Sequence, residues 1–67
     1  MFAFLNSKHQ VQPGAIVHAF SAHGELVQTT TAGADGVATL DLRNWPEGIY
    51  IVHSGPIREK LIVQRGG

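Results

Sequence analysis

Apolar and polar positions alternate in short stretches along most of this chain, and turn-forming residues separate the stretches. The turn signals are Pro13-Gly14, His23-Gly24, residues 33–36, residues 46–48 and Gly55-Pro56. They recur roughly every ten residues, a spacing typical of short antiparallel strands rather than of helices. The pattern therefore predicts a chain built from strands and tight turns.

Six segments carry a strand pattern, and a seventh, shorter candidate precedes the second of them. They are residues 2–5, 15–21, 25–31, 36–42, 48–54 and 58–64, with residues 9–12 as the short candidate. No segment keeps the spacing of an amphipathic helix over about three turns, although residues 41–45 can form a single helical turn. We predict an all-β fold, a small immunoglobulin-like antiparallel β-sandwich of six to seven short strands, whose strand order the sequence leaves open.

The alternation also assigns side chains to faces within individual strands. In the strand at 15–21, Val17 and Ala19 share one face, and Ile16, His18 and Phe20 share the other. Both faces are partly apolar, so we expect one to meet the opposite sheet and the other to meet a neighbour or solvent. In the strand at 48–54 the apolar run is continuous, which favours a central position in its sheet.

Length and composition restrict the class of protein. The chain has 67 residues, five basic and five acidic side chains, and no cysteine. This length predicts a single domain over residues 1–67, which buries only about 60% of the surface that its unfolded chain exposes. Without cysteine there are no disulfides and no thiolate metal ligands. Because no basic stripe is present, we expect no nucleic-acid partner.

No apolar run approaches the roughly 20 residues of a membrane-spanning helix. Residues 1–5 are apolar but too short for the core of a signal peptide, and no positive region precedes them. We therefore expect no membrane span, and any route through an inner membrane would depend on a signal in a larger parent protein.

Four histidines raise the question of a metal site. They are His9, His18, His23 and His53, and no two are spaced as a typical ligand pair. His18 and His53 lie on strands that can be neighbours, which would give a two-ligand site at most, whereas zinc takes three or four protein ligands. We predict exposed strand and loop histidines, and no metal or other cofactor.

Catalytic motifs are absent from the sequence. It contains no nucleophile elbow, no phosphate-cradling glycine loop and no recognisable triad spacing. Asp35 has no neighbouring carboxylates with which to hold calcium, so we interpret Asp35-Gly36 as a turn. These observations predict a noncatalytic domain with no catalytic residues.

Four residues are predicted to shape the turns and the core. Gly24 and Gly36 suit hairpin turns because glycine tolerates positive φ. Trp45 and Pro46 form a corner in which the indole caps one end of the core. If Trp45 were exposed instead, it would indicate a carbohydrate-stacking platform, which is an alternative function.

The C-terminal part of the chain carries two motifs that are more specific than these turn signals. A glycine enters the strand at Gly48-Ile49-Tyr50, and the final strand has a lysine directly before an aliphatic triplet, Lys60-Leu61-Ile62-Val63. Together with the Gly24 hairpin and the Leu40/Leu42 strand, this arrangement resembles the C-terminal sorting domain of proteins exported by the type IX secretion system of Bacteroidetes. The resemblance covers about residues 15–64, and the upstream Pro-Asn-Pro phrase of that family is missing.

The resemblance implies a sorting signal at the end of a larger exported protein, in transit through the periplasm and then at the cell surface or secreted. It implies type IX outer-membrane components as partners, and a sortase-like peptidase where the domain is removed. The implied recognition residues are Gly48, Tyr50, Lys60, Leu61, Ile62 and Val63. The cargo, its cleavage, the receptor and the native N-terminal boundary stay open.

A second function fits the same sequence. Motifs like Pro46-Glu47-Gly48-Ile49-Tyr50 also occur in transthyretin-like and other small bacterial sandwich modules. A structural or adhesive immunoglobulin-like or transthyretin-like module of a surface protein is therefore the alternative. Oligomerisation is open, with strand-mediated dimers as one option, because a terminal strand offers unpaired backbone groups.

Overall fold

A computed structural model describes the backbone of residues 2, 3 and 5–64 and the side chains of residues 5–64. Seven strands form in chain order: β1 Phe2–Ala3, β2 Asn6–Gln10, β3 Ile16–Ser21, β4 Leu26–Thr31, β5 Val37–Asp41, β6 Gly48–Ser54 and β7 Ile57–Val63. Five of the predicted strands agree with β3 to β7 within two residues at either end. No helix long and apolar enough to cross a membrane occurs in this part of the chain.

The strands form two sheets. One contains five strands in the order β1-β7-β6-β3-β4, and the other pairs β2 with β5. All pairs are antiparallel except β1 with β7, which run parallel for two residues. The adjacent strands β7, β6 and β3, opposed by the pair β2 and β5, reproduce the arrangement of strands G, F, C and B, E in an immunoglobulin-like sandwich. The predicted all-β, immunoglobulin-like fold is confirmed.

The core lies between the two sheets and is filled by side chains at alternate positions. The largest fully buried side chains come from both sheets: Leu40, Leu42, Leu61, Val17 and Val63. Val17 and Ala19 share one face, as their period-two pattern predicts, and the structure shows that this face points inward. Strand β6 is the central strand of the larger sheet, as predicted.

Strand β2 departs from the predicted segment 9–12. It begins at Asn6, ends at Gln10 and pairs with β5 from Asn6 opposite Asp41 to Gln10 opposite Val37. Its inward positions are Ser7 and His9, both polar, so the strand carries no alternation of apolar and polar residues. Of the other predicted N-terminal strand, residues 2–5, the structure assigns Phe2–Ala3 to β1, and Phe4 lies outside the described residues.

The prediction of exposed histidines is wrong for His9. This residue is 3% exposed, and its Nε2 lies 2.6 Å from Ser7 Oγ. Its Nδ1 makes no hydrogen bond within residues 5–64 and lies 3.7 Å from Glu59 Oε1 on β7. The cause is pairing with β5, which turns His9 toward the larger sheet.

Two predicted hairpin glycines have the positive φ that was expected of them. Gly24 has a φ of 86° in the β3–β4 hairpin, where the Gly24 N–H donates to Ser21 O at 2.9 Å. Gly36 has a φ of 77° directly before β5, and the Val37 N–H donates to Asp35 Oδ1 at 3.0 Å. Asp35-Gly36 is therefore a turn, as predicted.

The corner between β5 and β6 is built around Trp45 and Tyr50. The sequence allowed a single helical turn at residues 41–45. The structure has a tight turn there instead, closed by a 3.0 Å hydrogen bond from Trp45 N–H to Leu42 O. The Trp45 and Tyr50 ring centroids are 4.8 Å apart, and the Tyr50 hydroxyl donates to Pro46 O at 2.5 Å. A tyrosine at this corner, bonded to the backbone a few residues upstream, is typical of immunoglobulin-like sandwiches. Because Trp45 is 6% exposed, its ring is not a platform for carbohydrate stacking.

Candidate recognition surface

The six residues implied in recognition meet in one hairpin, formed by β6 and β7. Gly55, with a φ of 56°, makes the turn between the strands. Across the hairpin, Gly48 is opposite Val63, Ile49 opposite Ile62, Tyr50 opposite Leu61 and Ile51 opposite Lys60. Residues that are separated by 9 to 15 positions in the sequence thus form four consecutive cross-strand pairs.

Burial divides five of these six residues into two groups, and the sixth, Gly48, is half-buried at the start of β6. Tyr50, Leu61 and Val63 point into the core and are 5%, 0% and 0% exposed. Lys60 is exposed and Ile62 is half-buried, on the opposite side of the same strand. Lys60 and Ile62 are therefore the side chains that a partner can touch without unfolding the hairpin, and the buried three hold the strand in place.

Lys60 and Ile62 belong to a larger surface that we call the outer face. It consists of the outward side chains of the three central strands: Ile16, His18 and Phe20 of β3, Ile49, Ile51 and His53 of β6, and Arg58, Lys60 and Ile62 of β7. The register arranges two complete rows across it. One row is His18, His53 and Arg58, and the next is Phe20, Ile51 and Lys60.

The outer face is largely apolar at its centre. Ile16 is 56% exposed and Ile49 is 48% exposed, while Phe20 and Ile51 are half-buried against their neighbours. The sequence indicated that both faces of β3 and β6 are apolar. It did not indicate that Phe20 and Lys60, 40 positions apart in the sequence, flank Ile51 on opposite sides.

His18 and His53 are direct cross-strand partners, which confirms the prediction that they can meet. His18 Nδ1 lies 3.2 Å from Thr29 Oγ1 on β4, and the His18 ring centroid lies 6.1 Å from that of Phe20. Within residues 5–64, no three histidine, aspartate or glutamate side chains cluster as a metal-binding group. Arg58 is the next residue in the row, opposite His53, so it places a positive charge beside the pair.

Two open hollows adjoin on this face. One, of about 360 Å³, is lined by Ile51, Arg58, Glu59 and Lys60. The other, of about 340 Å³, is lined by Phe20, Ser21, Ala22, Gly24, Ile51 and Arg58. Because they share Ile51 and Arg58, the two hollows form one shallow depression, whose rim carries the two positive charges of Arg58 and Lys60 and the negative charge of Glu59.

The fixed charges at the outward positions of β3, β6 and β7 are those of Arg58 and Lys60. Glu59 lies between them on β7; its carboxylate is 3.7 Å from His9 Nδ1, but the side chain is 43% exposed and also lines the first hollow. Elsewhere on the surface, Asp41 Oδ2 accepts a 2.8 Å bond from Arg43, and the hydrogen bonds from Arg43 lower the pKa of Asp41 to about 2. The chain is neutral as a whole, but this face is basic.

The arrangement of the outer face suits the binding of a partner surface more than the enclosure of a small molecule, because its depression is open. Its chemistry is contact between aliphatic side chains, supplemented by the charges of Arg58 and Lys60. Comparison of the chain with protein-family models gave no match, and neither did comparison with curated proteins or with solved structures.

Proposed function

We propose that this chain is a noncatalytic C-terminal sorting domain, recognised by the type IX secretion machinery for transport of its cargo across the outer membrane. The observation that carries the proposal is the convergence of the motif residues on the β6–β7 hairpin, with Lys60 exposed on it. The resemblance of the sequence phrases to that family supplies the identity of the machinery.

In this proposal the hairpin has two separate tasks. Leu61 and Val63 anchor β7 in the core, and Tyr50 ties the start of β6 to Pro46, so the hairpin is presented in one conformation. Lys60 and Ile62 then contact the outer-membrane components. A folded domain that is read by exposed side chains needs no cofactor and no catalytic residue, and it travels from the periplasm to the cell surface or the medium.

A structural or adhesive module of a surface protein is the second candidate. The strand order and the Tyr50 corner favour it, because many cell-surface domains share this sandwich architecture. The two candidates differ in their dependence on position. A sorting domain acts at the C-terminus of its cargo, whereas a structural module works equally well between two other domains.

The test is a transplant of residues 1–67 onto the C-terminus of a fluorescent protein that is directed to the periplasm. The fusion is expressed in a type IX-competent bacterium and in a matched strain without the translocon. We expect fluorescence at the surface or in the medium of the competent strain alone. Fluorescence retained in the periplasm of both strains, with the domain folded, would refute the sorting function and favour the structural module.

A point substitution separates recognition from folding better than a truncation. Removing residues 60–67 would delete the buried Leu61 and Val63 and unfold the sandwich. Lys60→Glu reverses an exposed charge and leaves the core intact, so we expect it to reduce export of a folded fusion. Lys8→Glu, an exposed lysine on β2 of the other sheet, is the matched control and should be exported normally. Equal export of both variants would exclude Lys60 as a recognition residue.

A further inference from the structure

We propose that the outer face binds an acidic, aliphatic protein segment, whose carboxylates lie over Arg58 and Lys60 and whose apolar side chains lie over Phe20 and Ile51. The outer face includes Lys60 and Ile62, which are assigned above to recognition, so this inference names the chemistry of a partner at that same surface; the titration below tests it without the secretion machinery. It rests on exposure, on the position of the charges and on the shape of the depression.

Several large apolar side chains on and beside the outer face are exposed to solvent. Ile16 and Ile49 expose about half of their surface at either side of the depression, and Leu26, opposite Phe20 on β4, is 57% exposed. Large apolar side chains grouped on one side of a small soluble domain mark an interaction surface, whereas scattered ones need no explanation. On the outer face, the pairing register of the strands places these apolar side chains together.

The distribution of charge selects the partner. Arg58 and Lys60 are neighbours on the same side of β7, and no carboxylate occupies an outward position of the three central strands. Glu59 lines the rim beside them, so the depression carries two positive charges against one negative charge and is positive on balance. Opposite potentials on two surfaces accelerate and orient association. The same positive charges disfavour a metal ion on the adjacent pair His18 and His53, so an anionic group is the better complement.

Acidic side chains at one end of the larger sheet give the partner a direction. Glu25 and Glu47 line an adjoining hollow, of about 260 Å³, which shares Ser21 and Ala22 with the depression and lies at the end where Gly48 begins β6. One end of the larger sheet is therefore acidic and the Arg58 end is basic. A bound segment should place its carboxylates toward Arg58 and its uncharged end toward Glu25 and Glu47.

The depression limits what kind of group can bind. Its two hollows are open, and they meet at Ile51 and Arg58. This shape accommodates an extended segment that lies across the strands, with alternate side chains pointing down. Protein segments that alternate glutamate and leucine meet both requirements, an apolar contact at Ile51 and a carboxylate near Arg58 or Lys60.

The experiment is a titration of the isotope-labelled full chain with a capped synthetic peptide that alternates glutamate and leucine. Chemical shifts of backbone amides report the site and the dissociation constant. We expect shifts concentrated on β3, β6 and β7, and binding that weakens as salt screens the charges. A matched peptide with lysine in place of glutamate should cause no shifts.

Three variants make the titration decisive. We expect Lys60→Glu and Arg58→Glu each to weaken binding on the order of tenfold, the usual scale for loss of a close charge pair. Lys8→Glu changes the net charge equally but lies on β2, so it should bind like the parent chain. Amide spectra of each variant verify that the sandwich is folded.

Several results would overturn the proposal. They are equal binding of the lysine peptide, equal weakening by Lys8→Glu, or shifts confined to β2 and β5. Two further measurements bear on other occupants of the face. If sedimentation shows a dimer that Lys60→Glu dissociates, the occupant is a second copy of the chain. If phosphatidylglycerol vesicles bind the chain and the glutamate peptide does not, the partner is a membrane surface.

Discussion

Single side chains in this protein have clearly separable roles, and Tyr50 illustrates this well. It lies in the phrase that suggested recognition, yet it is 5% exposed and its hydroxyl donates to Pro46 O. Its ring also packs against Trp45 at the end of the core. At the residue scale, the most distinctive sequence position therefore supports the fold, and exposed neighbours such as Lys60 are left for contact with partners.

Tyr50→Phe keeps the packing against Trp45 and removes one hydrogen bond. We expect a loss of about 1 kcal/mol in the free energy of unfolding, the usual net worth of such a bond. Urea denaturation followed by tryptophan fluorescence measures it, since Trp45 is the only tryptophan. Thr31→Val, which removes an exposed hydroxyl from β4, should change stability by less than about half as much.

The carboxyl of Asp41 should titrate unusually low. Its pKa falls from 3.8 to about 2 because Arg43 donates side-chain and backbone hydrogen bonds to it. A lowered folded-state pKa stabilises the protein above the unfolded value, and this stabilisation disappears as the pH falls from about 4 to about 2. A carboxyl NMR titration should show the low midpoint, and Arg43→Gln should return it toward 3.8. An unchanged midpoint in that variant would contradict the assigned cause.

At the scale of elements, the turn before β5 brings its backbone close to the end of β2. Gly36, just before β5, accepts a 2.8 Å hydrogen bond at its carbonyl from Val11 N–H, just after β2. A Cβ on Gly36 would lie 2.5 Å from Val11 O, so the two backbones approach as closely as glycine permits. Gly36 is therefore needed for two reasons: its positive φ, and the close approach of the β2 and β5 backbones at this point.

Gly36→Ala should therefore destabilise the protein much more than Gly24→Ala does. Both glycines have positive φ, and alanine there costs about 1 to 2 kcal/mol. At Gly24 a Cβ meets nothing within 4 Å, whereas at Gly36 it also collides with backbone. Thermal unfolding of the two variants should show at least twice the loss for Gly36→Ala. Equal losses of stability in the two variants would contradict this expectation, because they would mean that the backbones at Gly36 and Val11 separate without an energetic cost.

At the scale of the whole molecule, the sandwich is small and its stability rests on few side chains. The two sheets share one core, and β7 contributes Leu61 and Val63 to it. A chain of this size buries a modest share of its surface, so the loss of one large core side chain affects the entire domain. The outer face, in contrast, tolerates change because it contributes little to that core.

Leu61→Ala and Lys60→Ala test this division between adjacent residues of one strand. Leu61 is fully buried, so its truncation should cost about 2 to 5 kcal/mol and leave much of the protein unfolded. Lys60 is exposed, and its truncation should change stability by less than about 0.5 kcal/mol. Circular dichroism during thermal unfolding measures both. A stable Leu61→Ala variant would show that the core repacks around the cavity.

Most of the strands could be predicted from the sequence because their alternation is local. The inward side chains of Val17 and Ala19 in β3, Ala38 and Leu40 in β5, and Tyr50 and Val52 in β6 are all buried and hydrophobic. Ser54 at the end of β6 is a buried polar exception, and it donates to Ile16 O. Strand β2 could not be placed correctly, because its inward residues Ser7 and His9 are polar. The candidate site was predicted only as a stretch of sequence, and the burial of half its residues became visible in the fold.

The class of fold, the turns and the division of the β3 side chains between two faces could be predicted from the sequence, because side-chain alternation and glycine conformation are properties of neighbouring residues. Tertiary structure decided the order of the strands, the parallel placement of β1 beside β7, the burial of His9 and the assembly of the outer face. Those features depend on pairing between segments that are distant in the chain. No local pattern specifies which strand becomes a neighbour, since that choice follows from how the two apolar faces are buried together.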